Sequence, residues 1–287
     1  MYIKFWGTRG SIPVPGPTTV RYGGNTSCVE LRTKQGTLII LDCGTGLHRL
    51  GKQLIEEYTN PIEGHILITH THWDHIQGLP FFAPLFVAGN AWDFYAPKGF
   101  EKSLKETLGG QMQYTYFPVS LAQLQSDIKY HELLAGEFLI KDIKVKARYL
   151  NHPATTLGYR LQENGISIVY VTDHEPYTSL AGSFGILSEK EQEHIEFLAN
   201  ADLVIHDSQY LSSEYREKRG WGHSTIEYVV AVCAAAKVKK IAFTHHDPLR
   251  NDDSIDLIVA NIKNKLKKQS FPLEVCAAFE GQIIKLE

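Results

Sequence analysis

The chain has 287 residues, enough for one large domain or two small ones with a substantial core. Hydrophobic residues make up 43% and charged residues 21%, as in ordinary soluble globular proteins, and a net charge of -3 excludes a global positive field that would gather nucleic acid. No apolar run approaches membrane-spanning length, Met1 to Gly7 lacks the charged-then-apolar order of a signal peptide, and Cys28, Cys43, Cys233 and Cys276 form no C-x-x-C pair, so a cytoplasmic protein is expected.

Short β-type runs dominate the first half. Strands are predicted at 2–6, 28–33, 37–42, 65–69 and 92–96, with a helix at 46–58. The stretch from about 98 to 130 has the least periodicity. It reads as an insertion in a single domain spanning 1–287, either a lid or a dimerisation element. Its aromatic residues Tyr114, Tyr116 and Phe117 would serve as lid, dimer contact or core, with core or interface preferred. Further strands are predicted at 138–150, 157–162, 166–172, 202–206 and 240–244, and at 273–286 in two pieces forming a C-terminal hairpin. Asn164-Gly165 marks a hairpin turn. Helices are predicted at 188–199, 224–236 and 253–268. The last has caps in Asp252, Asp253 and Ser254 and an apolar stripe of Ile255, Ile258, Ile262 and Leu266.

The chemistry concentrates in His70-Thr71-His72-Trp73-Asp74-His75, directly after the apolar run Ile66-Leu67-Ile68. Imidazole and carboxylate suit zinc, manganese or iron(II). On an extended segment His70 and His72 project to one side, and a turn after Trp73 swings Asp74 and His75 back toward them. That arrangement can serve two ions. Several other predicted strands end in a potential ligand: Asp42, His152 just after Leu150-Asn151, Asp173 and His245. Strands that terminate together can place such residues around one cleft. His174, His206 and His246 each neighbour one of these residues or Asp207, so on a strand they point to the opposite face and are not expected as ligands.

With these motifs in order, the chain resembles metallo-β-lactamase-fold hydrolases over nearly its whole length. The resemblance implies an α/β four-layer αββα sandwich with a dinuclear centre of divalent ions, zinc first and manganese second. It implies that His70, His72 and His152 hold one ion, that Asp74, His75 and His245 hold the other, and that Asp173 bridges them. Asp42 would orient the cluster from behind without binding metal. The run 202–207 ending in Asp207, and Gly222-His223-Ser224-Thr225 opening a helix, resemble the ribonuclease Z-like branch. There the acid supports a histidine that protonates the leaving group, roles that fall here to Asp207 and His223, with Asp74 helping to place or deprotonate the nucleophile. Asp207 stands where the processing nucleases usually carry glutamate. Physically, a histidine beside a helix N-terminus lies where backbone N–H groups attract phosphate oxygens.

Other branches fit less well. A β-lactamase would show a cysteine among the second-ion ligands, glyoxalase II appends a helical domain, and flavodiiron proteins carry an acid at the His72 position. The segment Gly7-Thr8-Arg9-Gly10-Ser11 and the loop 21–27 also resemble the ribonuclease Z-like branch, with Asn25, Thr26, Ser27 and Ser224 as substrate-binding candidates and Arg9 and Arg21 behind them. No Gly/Pro-rich tRNA-clasping arm is evident. The opening Phe5 to Pro13, the run Thr71 to Pro80 and the ending Thr244 to Pro248 resemble cyclic-nucleotide phosphodiesterases of the anti-Pycsar type, which act as homodimers. This resemblance implies a small cyclic phosphodiester substrate, cleaved to a 5′-monophosphate. Ribonuclease Z-like tRNA 3′ processing and phosphonate-pathway cyclic phosphodiesterase activity are the alternatives, and a non-catalytic metal sensor is a remote one. No membrane partner is expected.

Overall fold

The computed structural model describes residues 1–99, 101–177 and 188–287. Its first half builds one sheet from β1 (Tyr2–Gly7), β2 (Cys28–Arg32), β3 (Leu38–Leu41), β4 (Glu63–Leu67), β5 (Ala91–Pro97) and β6 (Asp127–Leu133). Between them lie α1 (Gly46–Glu57), the single turn α2 (Trp73–Ile76) and α3 (Leu104–Gly110). The second half builds a matching sheet from β7 (Gly136–Ile140), β8 (Ile143–Tyr149), β9 (Leu157–Glu163), β10 (Ile166–Val171), β11 (Leu203–Asp207), β12 (Lys240–Thr244) and β13 (Glu274–Ala277). Its helices are α4 (Glu189–Leu198), α5 (Ile226–Ala235) and α6 (Asp252–Lys268), and β14 (Ile283–Lys285) returns to the first sheet beside β1.

Each sheet has an antiparallel half and a parallel half. β3 to β6 run parallel in one, β10 to β13 in the other. Alternation on β8, with Ile143, Val145 and Ala147 buried and Lys144 and Lys146 exposed, shows why one face turns inward. Residues such as Phe5, Leu31, Tyr159, Leu161 and Ile205 form the core between the sheets. Leu47, Leu50 and Leu54 of α1 cover the outer face of one sheet, while Val229, Ile255 and Val259 from α5 and α6 cover the other. This is the αββα sandwich expected from the motifs.

Local chemistry explains the element ends. Asn251 caps α6 by accepting a hydrogen bond from the Ser254 N–H at 2.9 Å, and lysines 265, 267 and 268 fill its last turn against the helix dipole. The buried stripe uses Val259 where the sequence pattern suggested Ile258. Asn164 and Gly165 both have positive φ, the backbone that a two-residue hairpin turn requires.

Three expectations need correction. The predicted strand 138–150 is two strands, β7 and β8, reversed at Lys141 with φ of 52°. The pieces within 273–286 do not form a hairpin, because β13 and β14 join opposite sheets. The 98–130 stretch, of which residue 100 lies outside the described residues, holds α3 and leads into β6, both absent from the predicted elements. Leu104, Leu108 and Met112 pack it into the layer around α1, and Phe117 meets Phe81 edge-on, whereas Tyr114 and Tyr116 are strongly exposed and are not core.

Candidate metal centre

The parallel strands point their C-terminal ends at one edge of the sandwich, and the candidate residues lie at or shortly after those ends. Asp42 follows β3, His70 follows β4, Asp173 follows β10, Asp207 ends β11 and His245 follows β12. Asp42, Asp173 and His245 all have positive φ, of 60°, 51° and 58°. A left-handed residue turns the chain sharply, so each side chain is set at the rim where its strand stops. The conformation is unfavourable for a residue with a Cβ, and such strain is held where surrounding structure enforces it. The helical turn α2 then performs the swing expected after Trp73. It brings Asp74 and His75 beneath the extended pair His70 and His72.

Two groups of potential ligands result, each with ligating atoms within 4.8 Å of one another: His70, His72, His152 and Asp173, and Asp74, His75, Asp173 and His245. Asp173 belongs to both. Its Oδ1 lies 3.1 Å from Nε2 of both His75 and His245, and its Oδ2 lies 3.4 Å and 3.7 Å from Nε2 of His70 and His152. One carboxylate oxygen therefore faces each group. His70 Nε2, His75 Nε2 and Asp173 Oδ1 are buried without a hydrogen-bond partner. Buried polar atoms are nearly always satisfied, so three orphans spread over the two groups fit a pair of cations.

The other ring nitrogens are occupied, which fixes the tautomers. His75 Nδ1 donates to Asp42 at 2.9 Å, His152 Nδ1 to the Gly222 carbonyl at 3.0 Å and His245 Nδ1 to Gln209 Oε1 at 2.9 Å. Each leaves Nε2 for an ion. Asp42 sits behind the cluster, fully buried, and also accepts from the Thr69 N–H and the Tyr170 hydroxyl. Burial and the neighbouring His75 hold His70 well below its usual range, hence as the neutral imidazole a metal requires. Burial opposes ionisation of Asp74 and Asp173, but the surrounding imidazoles outweigh it and hold both carboxyls well below their ordinary range.

Beside these groups lies a third. Asp207 is fully buried and receives the His223 Nδ1–H at 3.2 Å. It also accepts backbone N–H groups from His174, Gln209 and Ser224, so its orientation is fixed from several sides. The bond to His223 uses Nδ1 and leaves Nε2 as the second ring nitrogen. Burial disfavours the charged ring, yet Asp207 prevails and raises the His223 pKa to about 9.

Of the weaker substrate-binding candidates, Asn25, Thr26 and Ser224 make hydrogen bonds within the protein, whereas the Ser27 hydroxyl has no partner among the described residues. Asn25 bonds Glu280, Thr26 Oγ1 accepts from the Thr45 N–H, and the Ser224 hydroxyl donates to the His174 carbonyl. Ser27 is buried. Arg9 is fully buried and binds the carbonyls of Gly23, Asp247 and Arg250, while Arg21 pairs with Asp253 and Asp256. These residues hold the N-terminal loops in place. The loop does reach the site through its backbone, since the Ser11 N–H donates to Asp74 at 2.8 Å. His174, His206 and His246 face away from the two groups, toward Tyr228, the Asp207 carbonyl and the Ala278 carbonyl respectively.

Gln209 is a supporting residue that sequence reasoning missed, and Gly10 and Gly222, which the sequence motifs contain, make room for ligand rings. A Cβ on Gly10 would lie 2.4 Å from His245 Nδ1, and one on Gly222 would lie 2.2 Å from His152 Nδ1. Gly222 also has φ of 86°. Gly222→Ala is therefore expected to push the His152 ring aside and weaken metal binding by about 10- to 100-fold. Chelator competition measures this, and unchanged affinity would remove the glycine from the site.

A family model described as a beta-lactamase superfamily domain matches residues 37–246. A ribonuclease Z of Thermoplasma acidophilum is 26% identical over 289 residues, covering 88% of each chain. Among solved structures, the short form of human tRNase Z superposes with a TM-score of 0.67 at 21% identity over all of both chains. Unliganded yeast PDE1 superposes with a TM-score of 0.69 at 15% identity over 99% of each. At those identities the two structures are likenesses of fold.

Proposed function

The chain belongs to the beta-lactamase superfamily, and we propose that within it the chain hydrolyses ribonucleotide phosphodiesters at a dinuclear centre, with His223 as the acid. It is a metal-dependent phosphoric diester hydrolase of the ribonuclease Z-like group. The observation that carries the mechanism is the buried Asp207–His223 pair set against the two ligand groups. Zinc is the proposed ion, with manganese the second choice, since the donors are imidazole nitrogens and carboxylate oxygens alone. When bound, two such ions draw negative charge from the phosphate oxygens and make water a better nucleophile.

The protein's own groups do the rest. Asp74, fixed by the Ser11 N–H, is placed to orient or deprotonate the attacking water. Asp207 keeps the His223 Nδ1–H pointed inward, so that Nε2–H is presented to the departing oxygen. Asp42 and Gln209 keep His75 and His245 from rotating.

The relatives named ribonuclease Z support an RNA substrate, such as the 3′ side of a precursor tRNA, over the small cyclic phosphodiester expected from the sequence. One observation favours the small substrate as a second reading. The 98–130 stretch is anchored on the body through Leu104, Leu108 and Met112, unlike a projecting RNA-clasping arm. A homodimer belongs to the same proposal and would cover the exposed Tyr114 and Tyr116. No helix among the described residues is long and apolar enough to cross a membrane. The test is one panel with zinc or manganese: precursor tRNA, 3′,5′- and 2′,3′-cyclic nucleotides, and bis-p-nitrophenyl phosphate. Cleavage of tRNA alone would establish the RNA reading, and cleavage of cyclic nucleotides alone the second. Failure on every member would refute both.

A further inference from the structure

The chain has four tryptophans. Trp6 and Trp92 are in the core, at 6% and 1% exposure, whereas Trp73 and Trp221 are 80% and 57% exposed. Open indoles present π-faces on which a planar ring can stack. Both open indoles are close sequence neighbours of site residues. Trp73 stands between His72 and Asp74, one residue from each ligand group. Trp221 directly precedes Gly222, whose carbonyl holds His152, and lies two residues from His223.

The surroundings of Trp221 add a second observation. The Lys218 ammonium lies 4.3 Å from the centre of the Trp221 ring and 5.9 Å from that of Tyr210. Tyr210 in turn meets His223 edge-on at 5.8 Å. Tyr210 meets the acid, and Lys218 joins Tyr210 to Trp221, so a cation and two aromatic rings lie next to the acid's surroundings, a composition that suits a planar ring attached to a phosphate. Every nucleobase offers a π-face, and stacking on an aromatic side chain is tolerant of base identity.

We infer that Trp73 and Trp221 form a nucleobase-stacking platform at the metal centre, so that the substrate is recognised by its bases as well as by its phosphate. Trp221, beside the acid, takes the base on the leaving-group side. The inference rests on the phosphodiesterase reading and names what that site selects.

The test measures binding without turnover. Metal-loaded protein is titrated with adenosine 5′-monophosphate and with ribose 5-phosphate, which differ only in the base. The wild type should prefer the nucleotide by about 10-fold or more, and the nucleotide should quench tryptophan emission more strongly. Trp73→Ala and Trp221→Ala should each reduce that preference by about 10-fold, while Trp73→Phe and Trp221→Phe retain most of it. Metal content checks that the centre is intact in each variant. Equal affinities in the wild type, or a preference that survives both alanine variants, would overturn the inference. Loss of the phosphodiesterase reading would show separately, as no hydrolysis in the substrate panel.

Discussion

His223→Ala is expected to keep its metal and lose about two to four orders of magnitude in turnover. The metal stays because His223 belongs to neither of the two ligand groups that share Asp173; its Nδ1 is 4.0 Å from that carboxylate. Turnover falls because the leaving oxygen must then depart without a proton. The pH profile gives an independent signature. The acid works only when protonated, and Asp207, against the opposing effect of burial, raises its pKa to about 9. The contribution of His223 is therefore present at neutral pH and disappears as pH rises through about 9. The variant should lack that falling limb. Turnover equal to the wild type would end the acid assignment, and loss of metal would show that His223 serves the centre instead.

Asp173→Ala should have the largest effect on metal content. Four imidazoles face this one carboxylate, two toward each of its oxygens. Removing an orienting partner of a ligand typically weakens metal binding 10- to 100-fold, so loss of a shared ligand should exceed about 100-fold. Elemental analysis should find about two ions per chain in the wild type and almost none in this variant. His152→Ala touches one group only and should retain the ion held by Asp74, His75 and His245. If Asp173→Ala still carried two ions, the bridging role would be refuted. If His152→Ala also did, His152 would not be a ligand.

Much of this site was legible because its residues are written locally. His70 to His75 form one contiguous motif, and Asp42, Asp173 and His245 each end an apolar run that reads as a strand. The long helices were equally plain, their ends falling within about two residues of the expected ones, a normal margin for frayed termini. α3 was not seen because seven residues carry little periodicity, although Ser103 and Glu106 form a capping box that signals its start. β6 was obscured by its edge position, where Lys129, His131 and Glu132 interrupt the apolar pattern. Apart from Asp42, the contacts that support the centre are not written locally. Gln209 bonds a histidine 36 positions away, and Gly222 makes room for one 70 positions away. Such contacts exist only after the two sheets have packed. The destination of β14, beside β1 and not β13, is hidden for the same reason.

The left-handed backbone at Asp42, Asp173 and His245 links the centre to the stability of the whole protein. Each such residue costs the folded chain roughly 1–2 kcal/mol, and each is held by a different strand end. An ion that binds only the folded form returns free energy in proportion to the logarithm of its concentration over its dissociation constant. Ions bound at this centre would thereby couple metal supply to heat resistance.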